Sequence, residues 1–458
     1  MKNQKLNPKS IAKEKEVETG KYLSLILTFS FVVTFMFISG IFECYAVPSY
    51  SRQTGMACSA CHNSFPELNS FGRQFKLNGY TLTNIPTINA PIDSIRSKLN
   101  LLTNPPLAGM VMSSFSNINK KVPGTQNNNV EFPQQLSLFY AGQVTPHIGT
   151  FIQITYDPQS GAIGLDNTDI RYSNHAQLAS KDWIYGLTLN NNPTVQDVWN
   201  TVPAWRYPYS TSGVEPSPAA ATMVEGMLSQ QVAGLGTYGL FNNLVYYEIS
   251  VYRAAPQGAI NPPDSTSVNT ISGVAPYWRL ALQHQFANHY FMIGTYGMAA
   301  SLFPTRANGT TDKYTDIGID LQYEYALSRA NISVHSSLVQ ETRTLDATKA
   351  SGGADLTSSK LNSFKIDGSI YWKKGIGLTL GYFNIAGDMD QTLYGTNNGK
   401  PDSNGTIMEV SFLPWLNTRF SVQYVMYGKF NGQSNNYDGS SRNASQNNTL
   451  YCLAWISF

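Results

Sequence analysis

Along most of the chain, apolar and polar side chains alternate with a period of two, in runs of about ten residues separated by turns. That spacing belongs to extended strands, whose successive side chains point to opposite faces. In residues 316–327, Ile317, Ile319, Leu321, Tyr323 and Tyr325 share one face, while Asp316, Asp320, Gln322 and Glu324 share the other. Phe420, Val422, Tyr424 and Met426 oppose Arg419, Ser421 and Gln423, and Ile152, Ile154 and Tyr156 oppose Gln153, Thr155 and Asp157. About 16 such runs begin near residues 107, 132, 148, 166, 182, 229, 244, 277, 289, 315, 329, 361, 376, 405, 417 and 448. An even number of strands, each with a lipid-facing apolar side and a lumen-facing polar side, is what a membrane-spanning barrel requires.

The connections alternate as well. Short turns at 145–147, 241–242, 287–288, 373–375 and 414–416 alternate with long polar loops at 191–228, 254–276 and 342–360. Outer-membrane barrels keep short turns in the periplasm and long loops outside, so both ends of this barrel are expected on the periplasmic side. The aromatic Phe458 at the end of an amphipathic last strand, residues 450–458, fits assembly into an outer membrane. A soluble β-sandwich also alternates, but its loops are not sorted by length in this way. The expected fold is therefore mainly β: a transmembrane antiparallel β-barrel over residues 97–458, preceded by a small α-helical segment at 47–96.

The leader points to export. Lys2, Lys5, Lys9, Lys13, Lys15 and Lys21 precede an apolar run at 23–42, the order of a secretory signal, and Cys44-Tyr45-Ala46 offers small residues for cleavage after Ala46. The alternative is a retained anchor, since the run is near spanning length. Cys44 follows Ile41-Phe42-Glu43, which is not a lipoprotein context. The leader holds six lysines and four acids, so its removal at Val47 takes the formal charge from +2 to zero. A neutral chain gives no reason to expect a nucleic-acid partner. Charged residues make up only 13%, and there are 27 tyrosines, a composition foreign to a soluble cytosolic enzyme.

One motif carries chemistry. Cys58-Ser59-Ala60-Cys61-His62 is a C-x-x-C-H sequence, in which two thiols form thioethers to haem and the following imidazole becomes an axial ligand. The alternative is a disulfide between Cys58 and Cys61. Downstream, Ser64 and Glu67 have capping-box spacing with Pro66 in the first turn, predicting a helix that carries Phe65, Leu68, Phe71 and Phe75 on one side and stops at Asn78-Gly79. So short a segment buries little without a cofactor, and one covalent haem c would be most of its core.

Residues 47–62, with Arg52-Gln53-Thr54-Gly55 leading into the motif, resemble the fused monohaem cytochrome-porin family of the bacterial outer membrane. The continuation Phe65-Pro66-Glu67-Leu68 and Phe71-Gly72-Arg73-Gln74-Phe75-Lys76-Leu77-Asn78-Gly79-Tyr80 is similar too. So is the segment 190–200 with Pro203-Ala204-Trp205, placed here in the longest external loop. That family includes iron-oxidising outer-membrane cytochromes. The resemblance implies Cys58 and Cys61 as haem attachment points and His62 as the proximal metal ligand.

For a sixth ligand, alternation puts His335 and His175 inward and His284 outward, with His147 and His289 at periplasmic turns. Met56 is close in sequence but constrained, and Met110 or Met112 on the first strand could reach a plug. The first functional expectation is electron transfer from extracellular Fe(II) to a periplasmic cytochrome or other carrier. In it, the inward acids Asp316, Asp320 and Glu324 either gather Fe(II) or serve as ordinary lumen polarity. The others are a diffusion porin whose haem segment is structural or regulatory, and electron export to an external acceptor.

Overall fold

The computed structural model describes residues 48–82, 85–88, 101–158, 161–255, 269–304 and 309–458. The leader, the expected cleavage after Ala46 and the expected start at Val47 lie outside the described residues.

Among the described residues, sixteen antiparallel strands form one closed ring, with a two-residue strand, Thr270–Ile271, added at its long-loop end. They are β1 Leu107–Ile118, β2 Asn129–Thr145, β3 Ile148–Asp157, β4 Ala162–Leu178, β5 Lys181–Asn190, β6 Val232–Phe241, β7 Val245–Ala254 and β8 Ala275–Phe286. The second half comprises β9 His289–Phe303, β10 Asp312–Ala326, β11 Ala330–Thr344, β12 Ser358–Trp372, β13 Ile376–Gly387, β14 Ser403–Trp415, β15 Thr418–Lys429 and β16 Thr449–Ser457. Each strand pairs with its neighbours in chain order, and β16 closes on β1 from Thr449↔Ile118 to Ser457↔Met110. Closure leaves no unpaired edge, the condition for strands to cross a bilayer. Every strand begins within four residues of the position read from alternation. The short turns all fall at one end; between β6 and β7, Asn242 and Asn243 take φ of 52° and 50°, the left-handed pair whose twist matches a hairpin.

Side chains sort by parity. On β8, Ala275, Tyr277, Arg279, Ala281 and Gln283 are buried inward, while Trp278, Leu280 and Leu282 are exposed outward. On β10, Asp316, Asp320 and Gln322 are buried inward and Ile317 and Ile319 exposed outward, as the alternation predicts.

The lumen is occupied. Residues 48–82 touch inward side chains around the whole ring, from Arg171 on β4 and Tyr238 on β6 to Glu324 on β10, Tyr371 on β12 and Arg419 on β15. From the long-loop end, residues 191–231 also fold in, with Val195, Val198, Trp199 and Val202 fully buried. The expectation of an external polar loop there is corrected. Five large apolar side chains within eleven residues, Trp205 being the fifth, need cover, and the lumen supplies it.

Candidate functional site

The motif forms a tight turn. Cys58–Ala60 is a single 3-10 turn, closed by Ala60 N donating to Ala57 O (2.9 Å) and Cys61 N to Cys58 O (3.0 Å). Asn69 supports it from beyond the motif: its backbone N donates to Cys61 O (2.9 Å), and its side-chain amide donates to Ser59 O (3.2 Å). Helix α1 is Pro48–Thr54, and the same Asn69 caps the helix α2, Ser70–Leu77, by accepting from Gly72 N (3.0 Å). Gly72 has no freedom to change, because a Cβ there would stand 2.1 Å from Cys61 O. The glycine lets the helix lie directly on the cysteine turn.

The helix therefore starts at Ser70 and not at Ser64. His62–Ser64 and Glu67–Leu68 instead pair as a small antiparallel ribbon, and the expected capping box does not form. Glu67 is drawn away from capping by three donors: Asn63 Nδ2 (3.0 Å), Tyr371 OH (2.9 Å) and Tyr209 OH (3.3 Å). A buried carboxylate takes such partners in preference to a helix end it is not near. The expected stop at Asn78-Gly79 is observed, with Asn78 as C-cap and Gly79 at φ 68°.

Cys58, Cys61 and His62 border a cavity of about 370 Å³ within the barrel. That volume lies in the range of pockets that hold small organic ligands, about 300–1,000 Å³. Phe65, Leu68, Phe71 and Phe75 all face it, so the four residues expected to cover one haem face still converge, two from the ribbon and two from α2. The cavity reaches from Gly109, Asn417 and Ser457 at the short-turn rim up to Gln135 and Asp166, nearer the long-loop end. His62 Nδ1 is buried with no hydrogen-bond partner. Burial pushes this imidazole down to about 4, against the pull of the Glu67 and Pro66 backbone carbonyls, so the ring is neutral, the form that binds metal. Burial pushes the Cys61 thiol up to about 11. Two thiols and a neutral imidazole on an apolar, aromatic cavity fit a covalently attached haem.

Paired charges fix this segment. Arg73 grips Glu324 of β10 in bidentate fashion, Nη1 to Oε1 at 2.7 Å and Nη2 to Oε2 at 2.8 Å, with its guanidinium 4.0 Å from the Tyr290 ring centroid. Lys76 Nζ donates to the carbonyls of Val195 (2.7 Å) and Asp197 (2.8 Å), joining α2 to the inward loop. Arg279 of β8 holds that loop through Asp197 (2.7 Å) and also pairs with Asp320. Asp316 accepts from Val224 N (2.8 Å) of the same loop. The inward acids Asp316, Asp320 and Glu324 are thus partners of the lumen filling, which is the ordinary lumen polarity of the two alternatives weighed for them. Among the described residues no cluster of three metal-ligating side chains occurs. Sequence reasoning missed Asn69 and the locking role of Arg73, Arg279 and Arg419. A buried-parity arginine such as Arg279 or Arg419 was the available signal.

The other histidines do not reach the cavity. His335 is inward, as expected, but lies between Gln322 (3.2 Å) and Asp367 (3.0 Å); His175 shares the inward parity of Arg171 and Ser173 and is exposed near the short turns. His284 is exposed on the outward face, while His147 and His289 sit at short turns. Met56, Met110 and Met112 do border it.

The outer face settles the compartment. Leu187, Leu189, Leu235, Ile249, Leu282 and Ile293 are about half exposed in mid-wall, and Phe286, Trp372, Trp415 and Phe458 ring the short-turn end. An apolar band with an aromatic rim around a polar interior is the reverse of a soluble barrel and suits lipid. The chain is an outer-membrane β-barrel. No protein-family profile and no curated protein matches its sequence. Among solved structures it is similar to OmpT, an outer membrane protein of Vibrio cholerae, at 11% identity and TM-score 0.42 over 77% of this chain and 97% of that one. It is also similar to the outer membrane channel DcaP of Acinetobacter baumannii (12%, TM-score 0.43, 77% and 96%) and to an anion-selective porin from Comamonas acidovorans (9%, 0.44, 77% and 98%). The barrel assignment rests on the ring of strand pairs and its apolar face.

Proposed function

We propose that this outer-membrane barrel carries one haem c, attached at Cys58 and Cys61 and ligated by His62, and transfers electrons across the outer membrane, from extracellular Fe(II) to a periplasmic carrier. The observation that carries the reading is the apolar cavity that both thiols and the His62 side chain border. Haem, when bound, supplies a one-electron redox centre. The chain does the rest. Phe65 and Phe75 exclude water, Asn69 and Gly72 hold the cysteine turn, and the Arg73–Glu324 pair fixes the segment inside the wall. Because the cavity reaches the short-turn rim, a periplasmic carrier can approach it. The choice of Fe(II) as donor follows the iron-oxidising members of the family that residues 47–80 resemble, and the direction of flow is set by the haem potential and the partners.

A second reading is favoured by the strand number: 16 strands suffice for an aqueous channel, which would make the chain a haem-bearing diffusion porin. Against open diffusion stands the filled lumen. Three measurements separate the readings. A denaturing gel stained for haem peroxidase should show one band that disappears in Cys58→Ala/Cys61→Ala; persistence of the stain defeats the attachment. Adding Fe(II) to the oxidised protein should produce the reduced-haem absorbance. Haem that dithionite reduces and Fe(II) does not removes Fe(II) as donor. Planar-bilayer recordings should show little conductance, whereas steady open-channel currents would favour the porin.

A further inference from the structure

We infer that the sixth axial ligand of the haem is a thioether from the wall itself, supplied by the Met110–Met112 pair of β1; this rests on the haem reading above. Side chains able to ligate iron around the cavity can be taken in turn. Among the described residues, His62 is the one histidine bordering it. Lys76 Nζ is occupied by two carbonyls, at 2.7 and 2.8 Å. Tyr50 OH donates to Thr150 O (2.7 Å), Tyr80 OH to Asp169 (2.7 Å) and Tyr209 OH to Glu67 (3.3 Å). Asp166 accepts from Thr155 Oγ1 (3.0 Å) and Asn167 N (2.8 Å), and Asp197 is paired with Arg279 (2.7 Å), which leaves methionine.

Met56 also borders the cavity but stands two residues before the first attachment cysteine, on the motif's own segment of chain. Met110 and Met112 come from the wall, 4% and 3% exposed, on the inward parity of β1, and Tyr50 of the segment leading into the motif packs against their cluster. Residues two apart on a strand share a face at about 6.6–6.8 Å, so both sulfurs address the same space. The register also brings them to the motif. Met112 pairs with Trp455 of β16, and the Trp455 ring meets Phe65, three residues past His62, at 5.2 Å between centroids. A soft thioether opposite a neutral imidazole is a ligand set that raises the haem potential relative to two imidazoles. The wall would then complete the redox centre that the N-terminal segment begins.

The test uses the full haem-loaded chain in detergent, with Met110→Leu, Met112→Leu and the double variant, substitutions that conserve volume and spare the attachment. One covalent haem per chain and the heat-modifiable gel shift of a folded barrel serve as controls. Wild type should show the red charge-transfer band of ferric iron bound to a thioether, and its ferrous form should not take up carbon monoxide. The double variant should lose the band, bind carbon monoxide and show a lower midpoint potential; one single variant should reproduce the loss and identify the sulfur. A double variant with the wild-type ferric spectrum and no carbon monoxide binding overturns the inference and leaves the haem reading standing. Rapid carbon monoxide binding by wild type also overturns it. A wild-type chain without covalent haem removes the haem reading and this inference together.

Discussion

In the wall, each strand meets two neighbours through a continuous ladder, and a side chain need only be apolar toward lipid or polar toward the lumen. In the lumen, residues 48–82 and 191–231 have no such ladder to the wall; apolar packing and single side-chain hydrogen bonds seat them, and a few buried charges fix where they sit. Arg73 meets Glu324, and Arg279 meets Asp197 and Asp320. Removing charges from water costs several kcal/mol per ion, about what a good pair returns, so such pairs set position more than they add stability. The wall is tolerant and repetitive; the filling is specific and costly to disturb at single points.

The strongest way to break that contrast is Arg279→Met. It leaves Asp197 and Asp320 buried at 3% and 1% exposure without their cation, which costs about 3–5 kcal/mol. Limited proteolysis in detergent should then cut within 191–231, while the temperature at which the barrel loses its heat-modifiable gel shift stays put. A fall in that temperature matching the loss of loop protection would mean that wall and filling unfold as one unit.

The next residue sharpens it from the other side. Leu280 lies near the middle of β8, points outward and is 47% exposed. Leu280→Arg places a charge in lipid, with a cost of about 2–4 kcal/mol near the bilayer midplane. Refolding into bilayers under urea should show the loss in the wall, with proteolytic protection of 191–231 unchanged in the fraction that inserts. Adjacent residues would thus damage different parts of the molecule.

This difference also explains what could be read from sequence. Period-two alternation is local, so Ile317 and Asp316 announce their faces without knowledge of any partner, and strand starts follow to within four residues. The cysteine turn is equally local, being one motif of five residues. The lock on it is not, because Arg73 and Glu324 are 251 residues apart and nothing in either neighbourhood names the other. The Ser64–Glu67 spacing misled for the same reason: Tyr371, 304 residues away, claims the Glu67 carboxylate. The segment 190–205 was marked by its resemblance but assigned outside the barrel, since loop length was read and its apolar content was not.

The smallest effect expected is a dependence on pH at the upper edge of the filling. Glu215, on the inward loop, accepts from Tyr427 OH of β15 (2.6 Å), while its Oε2 is buried without a partner. Burial raises this carboxyl to about 7, and the Tyr427 hydrogen bond only partly offsets it. A carboxyl raised on folding binds its proton more tightly in the folded state than in the unfolded one. Its contribution is therefore fully present below the ordinary carboxylate range and is lost as pH rises through about 7. Cleavage within 191–231 should accordingly become faster between about pH 5 and pH 8, with the barrel's own heat stability unchanged. Glu215→Gln keeps a group that can accept from Tyr427 but has no proton to lose, so it should flatten the dependence at the protected, low-pH level. A variant as pH-sensitive as wild type would place the titrating group elsewhere. A wild type equally protected at both pH values would mean that the Arg279 and Arg73 pairs alone hold the filling.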